Sequence, residues 1–443
     1  MSTVRTERRA RQLSGLPRDV DHTQPYAERL LKSPWTWIVL LLFVAYAYAL
    51  VDMYLLLHQD QEQGDITIPG VTMRMVKRAA GYAWPTAAVW SLVFIWLDRF
   101  RPQRLLWWVV AFGWGAAIAT WASLYINTWA GQLLMVTGGQ DAATGSRPAV
   151  FVAPFVEEAA KATILFALAV LVRYRIVSIL QSVSLAGLAA IGFAFTENMV
   201  YYLRAMTYSS VVIQTGDADA AIASLVRTRG IYTSFGHPLF TTMTGVGLAV
   251  GLRSRSKLVR ILAPLTGYCV ASLGHMAFNG TASITGDRRQ LMIMYFIALS
   301  LVFSVAMFLL GHVFKEGRRI RARLDDFVRM GWLHPRDPIV FGSPWRRFWI
   351  ATVALSRGPR TFLATQRILR AMSELAYLRD SMTRGLVDES GQVREKLLIL
   401  EIDGLRPLAL SDTVGARIQL PRLRRRPALA PVPVDAQWGP PRA

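Results

Sequence analysis

The chain has 443 residues, 53% of them hydrophobic and only 18% charged, and its 50 Lys and Arg outweigh 29 Asp and Glu to give a formal net charge of +21. So apolar a composition excludes an ordinary soluble enzyme. The positive charge gathers in the termini and in short loops between apolar blocks, where membrane-flanking Lys and Arg collect, so it makes no case for a nucleic-acid partner.

Residues 1–34 form a polar, basic segment carrying Arg5, Arg8, Arg9, Arg11, Arg18, Arg29 and Lys32. The apolar run from Trp35 to Leu57 is too long for a signal-peptide core and reads as a retained anchor. Further apolar blocks follow at 79–97, 105–127, 149–172, 178–202, 229–252, 258–280 and 290–314. Each approaches the ~20 residues an α-helix needs to cross ~30 Å of hydrocarbon. The pattern predicts an all-α, polytopic membrane bundle of about eight transmembrane helices over residues 35–314. Cys269 lies inside a block and reads as a small core residue.

An even number of spans puts both termini on one side, and the charges choose which. With the termini in the cytoplasm, 40 Lys and Arg fall inside and 9 outside, so the longer Gly- and Thr-rich loops such as 136–148 are extracytoplasmic. From about Lys315 the chain turns soluble. A basic stretch (Lys315, Arg318, Arg319, Arg321, Arg323) reads as a contact for anionic lipid head groups, amphipathic patterns follow at 343–356 and 359–386, and a Pro/Arg-rich end from about Pro407 reads as disordered. Residues 315–443 are therefore a cytoplasmic, mostly helical, partly disordered tail.

Charged side chains at mid-bilayer cost roughly 2.5–3.5 kcal/mol, so those that stay in spans tend to face an interior cavity and to have a function. Asp52, Glu157, Glu158, Lys161, Glu197, His237, His275 and His312 fall in apolar blocks. Glu157 and Lys161 are one helical turn apart with Glu158 at i−3 from the lysine. Two adjacent carboxylates in a low dielectric cannot both ionise cheaply, which suits the pair to exchanging protons. Phe193 and Glu197 share a face and Asn198 follows; His237 and His275 each follow a glycine, and Asn279 is four residues after His275. Counted at ~1.5 Å per residue from the outer ends of their spans, Glu157 and His237 lie at ~12 Å and Glu197 and His275 at ~7 Å, one layer of the outer leaflet. Asp52 and His312 lack partners at matching spacing and read as interfacial.

These elements, Glu157-Glu158-x-x-Lys161, Phe193-x-x-x-Glu197-Asn198, His237 and His275-x-x-x-Asn279, resemble the PrsW family of bacterial intramembrane proteases over about residues 35–314. More distantly the chain is similar to the CAAX prenyl endopeptidases, whose second motif ends in histidine where Glu197 stands. The resemblance implies a peptidase of the bacterial plasma membrane that cleaves membrane-anchored proteins, such as an anti-sigma factor, near the extracytoplasmic side. Peptide hydrolysis needs an activated water, an oxyanion stabiliser and a proton donor. Glu157 or Glu158 could be the general base, with His275 and Asn279 donating to the oxyanion and Lys161 setting the carboxylate charge. In a metal version Glu197, His237 and His275 hold Zn²⁺ and a glutamate of the fourth span deprotonates its water. The same buried charges also suit a proton- or cation-coupled transporter, and the basic tail suits an inert scaffold; the absence of paired broken helices speaks against transport.

Overall fold

The computed structural model describes residues 26–63, 66–137, 147–171, 176, 178–211, 218–254, 256–284, 287–383 and 389–419. Most of the basic segment 1–34, residues 138–146, residues 172–175 with Arg173 and Arg175, and the Pro/Arg-rich end from residue 420 lie outside the described residues.

The architecture is a helical membrane bundle with an appended helical tail. With no water in hydrocarbon to satisfy backbone groups, a helix closes its own hydrogen bonds, and the long apolar blocks take that form. A short α1 (Tyr26–Lys32) leads to α2 (Pro34–His58), which begins with proline at its first position, where the missing N–H costs nothing. A two-stranded antiparallel hairpin, β1 (Gln61–Gln63) and β2 (Ile66–Ile68) in register Gln61↔Ile68, leads to α3 (Met73–Leu97), whose first turn is capped by Thr72. Next come α4 (Leu105–Gly113), a π-helical turn at Trp114–Ala119 and α5 (Thr120–Thr137) as one continuous rod. A second π-helical turn at Pro148–Val152 opens α6 (Ala153–Leu171), followed by α7 (Ile179–Val211), α8 (Ala218–Arg227), a third π-helical turn at Thr228–Tyr232, α9 (Gly236–Arg253), α10 (Lys257–Ile284) and α11 (Arg288–Arg329).

Among the described residues, six helical stretches are long and apolar enough to cross a membrane: 34–58, 73–97, 105–133, 179–209, 257–283 and 289–329. The sequence predicts about eight. The two that fall short are α6 and α9, and the reason is their polar content: Glu157, Glu158 and Lys161 in α6, and His237 with four glycines and three threonines in the 18 residues of α9. Both bury their polar residues inside the bundle rather than facing lipid. At the centre stands α7, whose apolar stretch is 83% buried, against 6% for α11 at the periphery.

Glycines set the closest approaches. A methyl group on Gly192 of α7 would come within 2.0 Å of the Phe112 carbonyl oxygen, and one on Gly115 within 1.8 Å of the Ala189 carbonyl oxygen. Small residues thus let α7 and the third rod touch backbone to backbone.

The tail grows directly from α11, whose 42 residues run ~63 Å, twice a bilayer core. Leu324 and Phe327 of α11 pack with α12 (Asp337–Phe341), α13 (Pro344–Ser356), α14 (Pro359–Thr383) and α15 (Glu389–Leu405) around Phe341, Ile350, Met372 and Leu375. Residues 407–419, predicted to be disordered, are packed: the Leu410 amide donates to Thr365 Oγ1 at 2.9 Å, the Gln419 amide to Ser356 Oγ at 3.0 Å, and Arg336 pairs with Asp412 at 3.0 Å. This stretch holds one proline and one arginine, Pro407 and Arg417, and side-chain hydroxyls of neighbouring helices supply its backbone partners. Arg347 joins tail to bundle, donating to the carbonyls of Phe341, Leu369, Phe100 and Arg99 and to Ser373 Oγ.

Asp52 also departs from expectation. It accepts hydrogen bonds from Trp121 Nε1 (2.9 Å) and Tyr125 OH (2.7 Å), so it ties α2 to α5. Those donors sit on a helix distant in sequence, which spacing could not show. His312 is half-buried, and among the described residues its hydrogen bond and ring contact are both with Phe308 of its own helix.

Candidate active site

Helix α6 supplies the centre. Its register turns Glu157, Glu158 and Lys161 to one interior face, and all three are buried. The Lys161 ammonium lies 2.8 Å from Glu158 Oε1, 3.8 Å from Glu157 Oε2 and 2.9 Å from His237 Nδ1, and 4.1 Å above the Phe193 ring. Glu158 is saturated: Oε1 meets Lys161, Oε2 accepts from Thr241 Oγ1 at 2.7 Å, and His275 Nδ1 stands 3.3 Å away. Glu157 is not. Its Oε1 takes a long bond from Asn127 Nδ2 (3.4 Å), whereas its buried Oε2 has no hydrogen-bond partner.

His237 enters on the first turn of α9, where Pro238 is tolerated because the first helical N–H groups need no partner within the helix. An ammonium has no lone pair to give, so His237 Nδ1 accepts from Lys161 and Nε2 carries the proton, donating to Glu197 Oε2 at 2.9 Å. Glu197, on α7, also pairs with Arg229 Nη2 at 2.5 Å. Arg229 donates through Nε to Asn198 Oδ1 (2.9 Å) and stacks 3.7 Å from the Tyr201 ring. From α10, His275 lies parallel to Phe240 and edge-on to His237, each 5.1 Å between ring centres, with Nε2 4.0 Å from Glu157 Oε2. Asn279, one turn on, lines the cavity and donates Nδ2 to the Ala149 carbonyl at 2.9 Å.

Glu157, Glu158, Lys161, Glu197, His237 and His275 therefore meet in one cluster on four helices. Of these, Glu157, Glu197, His237 and His275 border a cavity of about 350 Å³, whose wall also includes Thr86, Ser123, Asn127, Arg229, Ser234 and Asn279. Two of the described π-helical turns, Pro148–Val152 and Thr228–Tyr232, contribute Pro148, Ala149 and Arg229 to the wall of this cavity. A π turn breaks the regular hydrogen-bond ladder, and side chains take up nearby carbonyls: Thr86 Oγ1 donates to Gly230 at 2.6 Å and Asn279 to Ala149.

Glu157, His237 and His275 each offer a ligand atom within 4.8 Å of one another, a group able to hold a metal ion. Two imidazoles and a carboxylate are the donor types of a catalytic zinc site, but Lys161 and Glu197 engage both ring nitrogens of His237, so a bound ion would have to displace Lys161 from Nδ1. Within it Glu157 stands where the sequence reading has Glu197. Glu197 accepts from His237 and Arg229 and is not one of the three grouped side chains.

Three contributors escaped the sequence reading. Arg229 counts there as an outer-loop charge, although it opens an apolar block, which is the signal that could have found it. Asn127 closes the third block. Thr241, four residues after His237, shares its face, so helical spacing from the histidine points to it.

No curated protein and no solved structure matches the chain. The family model described as PrsW family intramembrane metalloprotease matches residues 101–309, the stretch holding every member of the charged cluster.

Proposed function

We propose that this protein is a multi-pass endopeptidase of the bacterial plasma membrane, with both termini in the cytoplasm, that hydrolyses a peptide bond of a membrane-anchored protein such as an anti-sigma factor near the extracytoplasmic side. The observation that carries the proposal is the convergence of Glu157, His237 and His275, from three helices, on a polar-lined cavity within the bundle. Glu157, His237 and His275 would hold a divalent ion, zinc by the nature of the donors, and a bound ion would supply Lewis acidity and a nucleophilic water at neutral pH. Lys161 and Arg229 offset the carboxylate charge. Glu158 aligns His275 at Nδ1 and Glu197 aligns His237 at Nε2. Asn127 holds Glu157 by Oε1. Glu197, facing the cavity, is the carboxylate available to take the proton of the attacking water and pass it to the leaving amine. Asn279, released from Ala149, donates to the oxyanion.

A metal-free reading has its own observation: the Lys161 ammonium occupies the His237 Nδ1 lone pair. In that case Glu157 Oε2 takes the proton of the attacking water and returns it to the amine, while His275 and Asn279 face the oxyanion. Elemental analysis of the purified full-length protein decides between the two, with one ion per chain that is lost in His237→Ala expected for the first. Under either chemistry Glu157→Gln should slow cleavage of a bilayer-tethered substrate by about 10²-fold or more. Undiminished cleavage by Glu157→Gln and by the Glu157→Gln/Glu158→Gln double variant would end the proposal.

A further inference from the structure

Helix α13 presents an apolar face on each side. One face, with Ile350, Val353 and Ala354, packs into the tail core. The other carries Trp345 (69% exposed), Phe348 (62%), Trp349 (41%) and Leu355 (60%), with only Thr352 among them to soften it. A contiguous aromatic face of this kind in a tail surrounded by water would be an aggregation liability, so it has an occupant.

Position identifies the occupant. Arg347, on the first turns of α13, donates Nη2 to the carbonyls of Phe100 (3.0 Å) and Arg99 (3.4 Å), in the short connection between α3 and α4. That connection lies at the membrane boundary, because spans end at Leu97 and restart at Leu105. Tryptophans mark the same level on the neighbouring helices: Trp35 packs edge-on against Trp107 at 6.0 Å, Trp37 is exposed, and Trp96 lies under the Arg99 guanidinium. Indoles concentrate at the head-group level of a bilayer. Charge agrees as well. Residues 343–360 contain Arg346, Arg347, Arg357 and Arg360 and no acidic residue, and Arg346 and Arg360 are exposed at the two ends of the aromatic face.

We propose that α13 is an interfacial helix that seats Trp345, Phe348, Trp349 and Leu355 among the acyl chains and head groups on the side of the 98–104 connection, with Arg346 and Arg360 on anionic lipid phosphate. The tail is thereby fastened to the bilayer twice, by α11 and by α13. An interfacial helix buries its apolar side ~5–10 Å deep, and the ~20 Å length of α13 allows it to lie flat there.

The test uses the full chain in vesicles of mixed phosphatidylcholine and phosphatidylglycerol. In a Cys269→Ser background, single cysteines Phe348→Cys and Leu355→Cys, with Asp403→Cys as a tail reference, carry an environment-sensitive fluorophore. Labels at 348 and 355 should be quenched by lipid-borne nitroxide about fivefold more than the label at 403, and shielded from aqueous iodide. Trp345→Ser/Trp349→Ser should at least halve the lipid quenching at 355, a readout that separates seating from mere proximity. Iodide-accessible labels without lipid quenching overturn the proposal. So does shielding that disappears when the protein is diluted into excess empty vesicles, because the occupant is then a second copy of the chain.

Discussion

Lys161 has no exposed surface and touches both α6 glutamates and a histidine, so one cation stabilises most of the negative charge in the cluster. The two adjacent glutamates are thereby made unequal. Glu158 has all its bonds inside the protein, and Glu157 keeps an oxygen free toward the cavity. Another buried carboxyl, Asp98, lies beyond the end of α3 and accepts the Gln103 amide at 2.7 Å. Burial pushes its pKa well above the ordinary carboxylate value, with Glu316 adding to the rise and Arg101 opposing it. A raised folded-state pKa means that the folded chain holds a proton that the unfolded chain has released. Stability therefore falls as pH climbs from the unfolded value, ~3.9, to the folded one. Asp98→Asn keeps an acceptor for Gln103 and removes the charge. Its thermal stability in detergent should exceed the parent's by about 1 kcal/mol at pH 8, and the difference should shrink to nothing toward pH 4.

At the scale of elements, the glycine contacts of α7 divide tolerated from forbidden changes. Gly192→Ala drives a methyl group into the Phe112 carbonyl and should cost about 2–3 kcal/mol in a thermal or denaturant melt of the purified protein. Gly81→Ala on the exposed face of α3 meets nothing within 4 Å, and its higher helix propensity should leave stability unchanged or raised by up to about 1 kcal/mol. Helical spacing made the α6 trio and the His275 and Asn279 pair legible, because residues on one helix share a face by arithmetic. The three π-helical turns left no trace in the sequence, since backbone hydrogen-bond register depends on packing rather than on residue type. The cross-helix pairings of Asp52, of Arg229 with Glu197 and of Asn127 with Glu157 were hidden for a related reason: each partner sits at least 30 residues away. Hydropathy marked α6 and α9 as blocks but could not show that Glu157, Glu158, Lys161 and the α9 threonines turn into the bundle while Phe166, Val170 and Val250 stay exposed.

For the whole molecule, Arg347 is the joint on which tail and bundle agree. Arg347→Met fills similar space but strips five carbonyl and hydroxyl groups of their donor, at a cost of about 3 kcal/mol. Limited proteolysis should then cut the tail faster while the membrane domain stays intact. Helix α11 runs without interruption from span to tail, so no flexible tether separates them. The tail's azimuth and height are consequently locked to helical phase. Each residue added to that rod turns the appended helices by ~100° and lifts them ~1.5 Å, so two whole turns of inserted sequence nearly restore the bearing while carrying α13 about a head group's depth away from its seat.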